Sequence, residues 1–167
     1  MSDNIVNYLL ELLEKKGSDI QYGNEDVTQL EHALQCAELA EQHNKSDAFI
    51  TAALLHDVGH LLYEDDDPIH EGKDGVHEDL GANYLEKYLG EEVTLPIRAH
   101  VASKKSLKVQ GGIFSKEEAE EFINKPQMKE AVEMRRFDDQ AKILNKTTPT
   151  VEYFRKYVEN SFQANSN

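Results

Sequence analysis

Ala52-Ala53-Leu54-Leu55-His56-Asp57-Val58-Gly59-His60 is the stretch whose reading decides the fold. Ser46 can cap a helix whose Phe49, Ile50, Ala53 and Leu54 lead straight into an imidazole and a carboxylate. On a continuous helix, His56 and His60, four apart, share a face. Asp57 then projects about 100° away from His56, at ~3.6 residues per turn. A carboxylate has two oxygens, so Asp57 could bridge two cations while His56 binds one.

Working outward, nearly every periodic stretch reads as helix. About Asn4 to Lys16 carries Ile5, Leu9, Leu12 and Leu13 on one face, with Gly17 as the stop. Thr28-Gln29-Leu30-Glu31 is a capping box for a helix to about His43. Further helices are expected over about His77 to Leu89, Ile97 to Lys104, Gln127 to Ile143 and Pro149 to Ser161, the last with its proline in the first turn. Asp65 through Gly75 and Gln110-Gly111-Gly112 read as loops, and Ser115-Lys116-Glu117-Glu118 as a second capping box. Alternating β patterns, repeats and linkers are absent. The expectation is one all-α domain over 1–167, with its core about 22–157.

The bulk numbers narrow the function. A chain of 167 residues can bury a proper core. A net charge of −14 and a pI near 4.8 disfavour nucleic acid as a partner. No apolar run approaches the about 18 residues a membrane span needs, and no signal peptide is expected. One cysteine, Cys36, excludes internal disulfides and fits a reducing cytoplasm. No obligate protein partner is predicted.

Four histidines and two aspartates form a progression: His32, His56-Asp57, His77, His100, then Asp138. These supply ligands for two metal ions sharing one aspartate, with the imidazoles suiting Fe, Zn, Ni or Cu. The ligands must converge from different helices. The other histidines read differently. His43 is a helix-end dipole partner, His70 a solvated loop residue, and His60 either a ligand or a donor to an anionic substrate. The run Asp65 to Asp67 reads as a solvated surface feature, and Cys36 as a small core residue.

His32, His56-Asp57 and Asp138 together resemble the HD-domain superfamily, an all-α metal-dependent fold dominated by phosphohydrolases; His77 and His100 resemble its dinuclear branch. The local wording resembles the phosphonate-cleaving, PhnZ-type, mixed-valence diiron oxygenases related to myo-inositol oxygenase. The stretches that carry it are Gln29 to Ala37, Ala52 to His60, His100-Val101-Ala102-Ser103-Lys104, Gln110-Gly111-Gly112 and Arg135-Arg136-Phe137-Asp138.

That resemblance implies two irons, Fe(II)/Fe(III), with O2 as co-substrate. One iron would be held by His32, His56, Asp57 and Asp138, the other by Asp57, His77 and His100. It implies that Tyr22 covers the open iron until substrate arrives and that Glu25 meets a substrate amino group. It also implies that His60, Lys104 and Arg135 hold the phosphonate. The implied reaction converts 2-amino-1-hydroxyethylphosphonate, or an N-methylated analogue, to glycine or glycine betaine and phosphate.

Competing explanations stand beside these roles. Arg135 precedes Asp138 by three residues and could simply orient it. Lys104 could be a surface cation, Tyr22 a packing aromatic and Glu25 a helix-start acid. Between Lys104 and Gln110 only Lys105 to Val109 intervene, fewer than in the resembling family. The rival activity is a dinuclear phosphohydrolase acting on a nucleotide or dinucleotide, which would need no O2. A non-enzymatic module would not keep the ligand set, and a ferritin-like carrier would repeat Glu-x-x-His pairs on facing helices.

Overall fold

Asp47–Leu55 forms helix α3, started by Ser46, whose hydroxyl oxygen accepts the Phe49 N–H at 3.1 Å. Every side chain from Phe49 to Leu55 is buried, so this helix is surrounded by others. The computed structural model describes residues 2–62, 77–107 and 126–165, with side chains within 3–62, 80–100 and 129–162. The remaining helices are α1 (Ser2–Asp19), α2 (Gln29–Gln42), α4 (His77–Leu85), α5 (Glu91–Leu107), α6 (Pro126–Gln140) and α7 (Val151–Asn165). Helix α3 packs on α2, α5, α6 and α7, while α1 lies against α2 and α7. Among the described residues no strand forms; Gln21 and Thr28 make one isolated antiparallel bridge. The architecture is all-α, as the periodicity requires. None of these helices is long and apolar enough to cross a membrane.

The caps fall where the side chains dictate. Thr28 accepts the Glu31 N–H at 3.1 Å and starts α2. At its other end Asn44 takes φ 56°, letting the Lys45 N–H reach the Ala40 carbonyl at 3.1 Å. His43 closes the same turn, its Nδ1–H donating to the Leu39 carbonyl at 2.7 Å, as expected of a helix-end residue.

Several boundaries differ from the sequence reading, each for a local reason. Gly17 does not stop α1, which runs on to Asp19; a Cβ at Gly17 would lie 3.3 Å from Leu30, so this glycine permits close contact with α2. The buried face of α1 is Val6, Leu9, Leu10 and Leu13, with Ile5 and Leu12 only partly covered. Helix α4 ends at Leu85, short of Leu89. Helix α5 starts at Glu91, ahead of the expected Ile97, because the Gly90 carbonyl accepts from Val93 and Thr94 at 3.0 and 3.2 Å. Pro96 inside it forfeits one backbone bond without ending the helix. Helix α6 ends at Gln140, before the expected Ile143. At α7 the Thr150 hydroxyl accepts the Tyr153 N–H at 3.2 Å, so Thr150 is the cap and Pro149 stays outside.

The most consequential difference follows α3. The helix stops at Leu55, Asp57 leaves helical geometry at φ −104° and ψ 12°, and Val58–Leu61 continue as a 3-10 turn. The continuous helix that would align His56 with His60 does not form. Instead the break turns Asp57 and its neighbours inward, and α4 crosses that turn closely. A Cβ on Gly81 would come within 3.2 Å of the Gly59 backbone nitrogen. Backbone cannot yield as a flexible side chain does, so Gly81→Ala is expected to destabilise the protein by about 1–3 kcal/mol. A thermal melt checks this; an unchanged midpoint would show that the crossing is loose.

Candidate metal centre

Three helices and the break after α3 converge on one buried cluster. His32 comes from the first turns of α2, His56 from the end of α3, Asp57 from the break and Asp138 from α6. One ligand atom from each of these four lies within 4.8 Å of every other, and all four residues are buried. His32 Nε2 is 3.1 Å from His56 Nε2, and Asp138 Oδ1 is 2.7 and 3.0 Å from those two nitrogens. Asp57 faces two ways. Its Oδ2 is 3.3 and 3.2 Å from His32 and His56 Nε2, while its Oδ1 is 3.6 Å from His100 Nε2 on α5.

The other nitrogen of each ring is committed to backbone. Nδ1–H of His32 donates to the Ala141 carbonyl at 2.6 Å, that of His56 to Ala53 at 2.7 Å and that of His100 to Ile97 at 2.6 Å. This fixes the tautomer and leaves Nε2 as a lone pair, the form a metal binds. Two such lone pairs facing each other among carboxylate oxygens repel unless positive charge lies between them. The charge balance agrees. Burial would depress the imidazoles, but hydrogen bonds and charge from Asp57 and Asp138 hold His32 above its ordinary range and His56 well above it. Burial would raise the two carboxyls, yet the imidazoles keep Asp138 below its ordinary range and Asp57 well below. Two nitrogens and two ionised carboxylates in this arrangement can hold a metal ion.

Around the cluster, Tyr22 lies flat on His32, ring centroids 3.7 Å apart at 9°, and its hydroxyl donates to Asp138 Oδ1 at 3.3 Å. Burial and the neighbouring carboxylates push this phenol well above its usual range. Arg135 does what the competing explanation foresaw, pairing with Asp138 Oδ2 at 2.7 Å and with Asp139 at 3.0 Å. Its buried Nε–H has no acceptor among the described residues. Glu25 pairs with Lys142 at 3.2 Å. His60 sits half-buried on the 3-10 turn and is not one of the four converging groups. Cys36 is fully buried, its thiol pushed up to about 12 by burial, consistent with a core residue. His77 begins α4, but the side chains of His77 and Lys104 lie outside the described residues. So do Asp65 to Asp67, His70, Gln110 to Gly112, the Ser115 capping box and Lys108-Val109.

Two contributors escaped the sequence reading. Gln35 is buried and grips one residue by both ends of its amide. Its Nε2 donates to the Ile143 carbonyl at 2.8 Å and its Oε1 accepts the Ile143 N–H at 2.9 Å. That clamp holds the segment whose Ala141 carbonyl orients His32. Gln35→Leu should cost about 1–3 kcal/mol for the unmet backbone groups and weaken metal binding by about 10–100-fold. Metal titration of the folded variant measures the second effect; wild-type affinity would show that the Ala141 contact does not need the clamp. The other contributor is Lys142, past the end of α6, whose partner Glu25 lies far back in the chain, so no local spacing signalled the pair.

The HD-domain family model matches residues 29–145. The chain belongs to the HD-domain family. This HD domain is 36% identical to hydroxymethylphosphonate dioxygenase of Gimesia maris, over 95% of the chain and 88% of that protein. It is 33% identical to [1-hydroxy-2-(trimethylamino)ethyl]phosphonate dioxygenase (glycine-betaine-forming) of Leisingera caerulea, over 93% of the chain and 89% of the relative. A third relative, uncharacterized protein L432 of Acanthamoeba polyphaga mimivirus, is 33% identical over 92% of the chain and 80% of its own length.

Proposed function

We propose that this HD domain is an O2-dependent diiron oxygenase that cleaves the C–P bond of a small 1-hydroxyphosphonate, releasing phosphate and a carboxylate. The observation that carries the reading is the two-faced Asp57, one oxygen toward His32 and His56 and the other toward His100. A carboxylate placed in this way would suit two ions, the first to be held by His32, His56, Asp57 and Asp138, the second by Asp57, His100 and His77. The two dioxygenase relatives support the same reaction class.

When bound, the irons supply the activation of O2 and the oxidation at C1 that a C–P bond requires before phosphate can leave. The protein's part is to bind and orient. Ala141, Ala53 and Ile97 carbonyls hold the three imidazoles in ligand orientation. Arg135 fixes Asp138 through one nitrogen and keeps its buried Nε–H for a phosphonate oxygen. His60 and Lys104 are the other candidate phosphonate donors. Tyr22 lies over His32 and Asp138, where it covers the centre and must move for a substrate to reach it. The substrate carbon skeleton is balanced by one O2: 2-amino-1-hydroxyethylphosphonate gives glycine, its trimethylammonium analogue gives glycine betaine, and hydroxymethylphosphonate gives formate, each with phosphate.

Phosphorus and proton NMR of the iron-loaded protein with these three compounds in air tests the reading. Phosphate with the matching carboxylate is expected from at least one. No phosphate from any of them, alongside turnover of a nucleotide under argon, would establish the phosphohydrolase instead.

A further inference from the structure

The Tyr22–Glu25 turn is closed by the Glu25 N–H donating to the Tyr22 carbonyl and the Tyr22 N–H to the Val27 carbonyl, both at 2.9 Å. Gly23 supplies the φ of 52° that the turn needs. Tyr22 rests on His32 and Asp138, and Ala141, which precedes Lys142, accepts from His32, so the Glu25–Lys142 pair joins two segments that each touch the centre. Opposite it, Lys142 Nζ lies 3.2 Å from Glu25 Oε1. The backbone carrying Lys142 is anchored on both sides, Ala141 by His32 and Ile143 by the Gln35 clamp.

We propose that Lys142 sets substrate choice by occupying Glu25, so that this chain favours a 1-hydroxyphosphonate without a cationic substituent over one bearing an ammonium. The proposal rests on the oxygenase reading above. A substrate ammonium needs a carboxylate beside it. Among the described residues Asp57 and Asp138 are engaged by imidazoles and, for Asp138, by Arg135. Glu25, on the turn that begins at Tyr22, offers a further carboxylate, and Lys142 already pairs with it. An ammonium-bearing substrate must displace that lysine and then sit near its freed charge; hydroxymethylphosphonate disturbs nothing. Side-chain exposures of 42% for Lys142 and 44% for Glu25 limit the effect. A screened pair of this kind shifts a binding ratio about fivefold, not by orders of magnitude.

Calorimetric titration under argon decides it, with hydroxymethylphosphonate and 2-amino-1-hydroxyethylphosphonate binding to iron-loaded wild type, K142M, E25Q and the double variant. Both ligands carry the phosphonate, so the ratio of their affinities removes any general loss of attraction to it. K142M should move the ratio toward the amino compound by about fivefold, and the shift should vanish in the E25Q background. A ratio unchanged within about twofold in K142M, or the same shift without Glu25, overturns the proposal. Phosphate release in air, measured alongside, separates the two readings. Turnover with an unmoved ratio rejects Lys142 alone, whereas neither binding nor turnover of any hydroxyphosphonate rejects the oxygenase and this inference with it.

Discussion

Asp57→Asn protein is expected to fold and yet to lose metal binding and the proposed activity. The side chain does not cap the 3-10 turn, so the amide can occupy the same space without undoing the local backbone. What disappears is the negative charge whose two oxygens face separate imidazole groups at 3.2 to 3.6 Å. An amide offers one neutral oxygen and a competing N–H donor in place of two anionic ligands. Changing a mere outer partner of a metal ligand typically costs 10–100-fold, so loss of the bridge should lower phosphate release by more than about a hundredfold. Iron analysis on the folded variant should give at most half the wild-type content. Full iron with full turnover would remove Asp57 from the centre.

The second large effect is on stability. Phe154 is fully buried on α7, where it joins the core formed by α1 and α3, and Phe154→Ala should cost about 3–5 kcal/mol. For a chain of this length that lowers the melting midpoint by about 10 °C. Ile143→Ala is the control: Ile143 is 56% exposed, so its truncation should stay within about 0.5 kcal/mol. Equal midpoints for the two variants would mean that α7 is not docked as described.

The helices were legible because their signals are local. Ser46 and Thr28 place their own caps, and the apolar run after Ser46 marks α3. Boundaries went astray where a neighbour overrode a local rule. Gly17 reads as a stop but serves contact with Leu30, and α5 starts at Glu91 rather than at the expected Ile97, with Pro96 carried inside it. The break after Leu55 was not legible, since nothing in His56-Asp57-Val58 forbids a helix; packing of Gly81 against Gly59 is a tertiary fact.

Of the centre, the ligand types and their order were readable, because the chemistry of histidine and aspartate limits what they can do when buried. His32, His56, Asp57 and Asp138 do converge, with His100 beside them. The supporting contacts were not readable. Ala141 contributes only a carbonyl, and Gln35 acts on backbone, so neither leaves a mark in side-chain chemistry. Of the two roles open to Arg135, the pairing with Asp138 and Asp139 is the one its contacts display, while its spare Nε–H belongs to the proposed one.

The direct measurement is oxygen uptake beside phosphate release by the iron-loaded protein given a 1-hydroxyphosphonate, repeated under argon. One O2 consumed for each phosphate released in air, with no phosphate under argon, is the predicted result. Phosphate formed at the same rate without oxygen would contradict it.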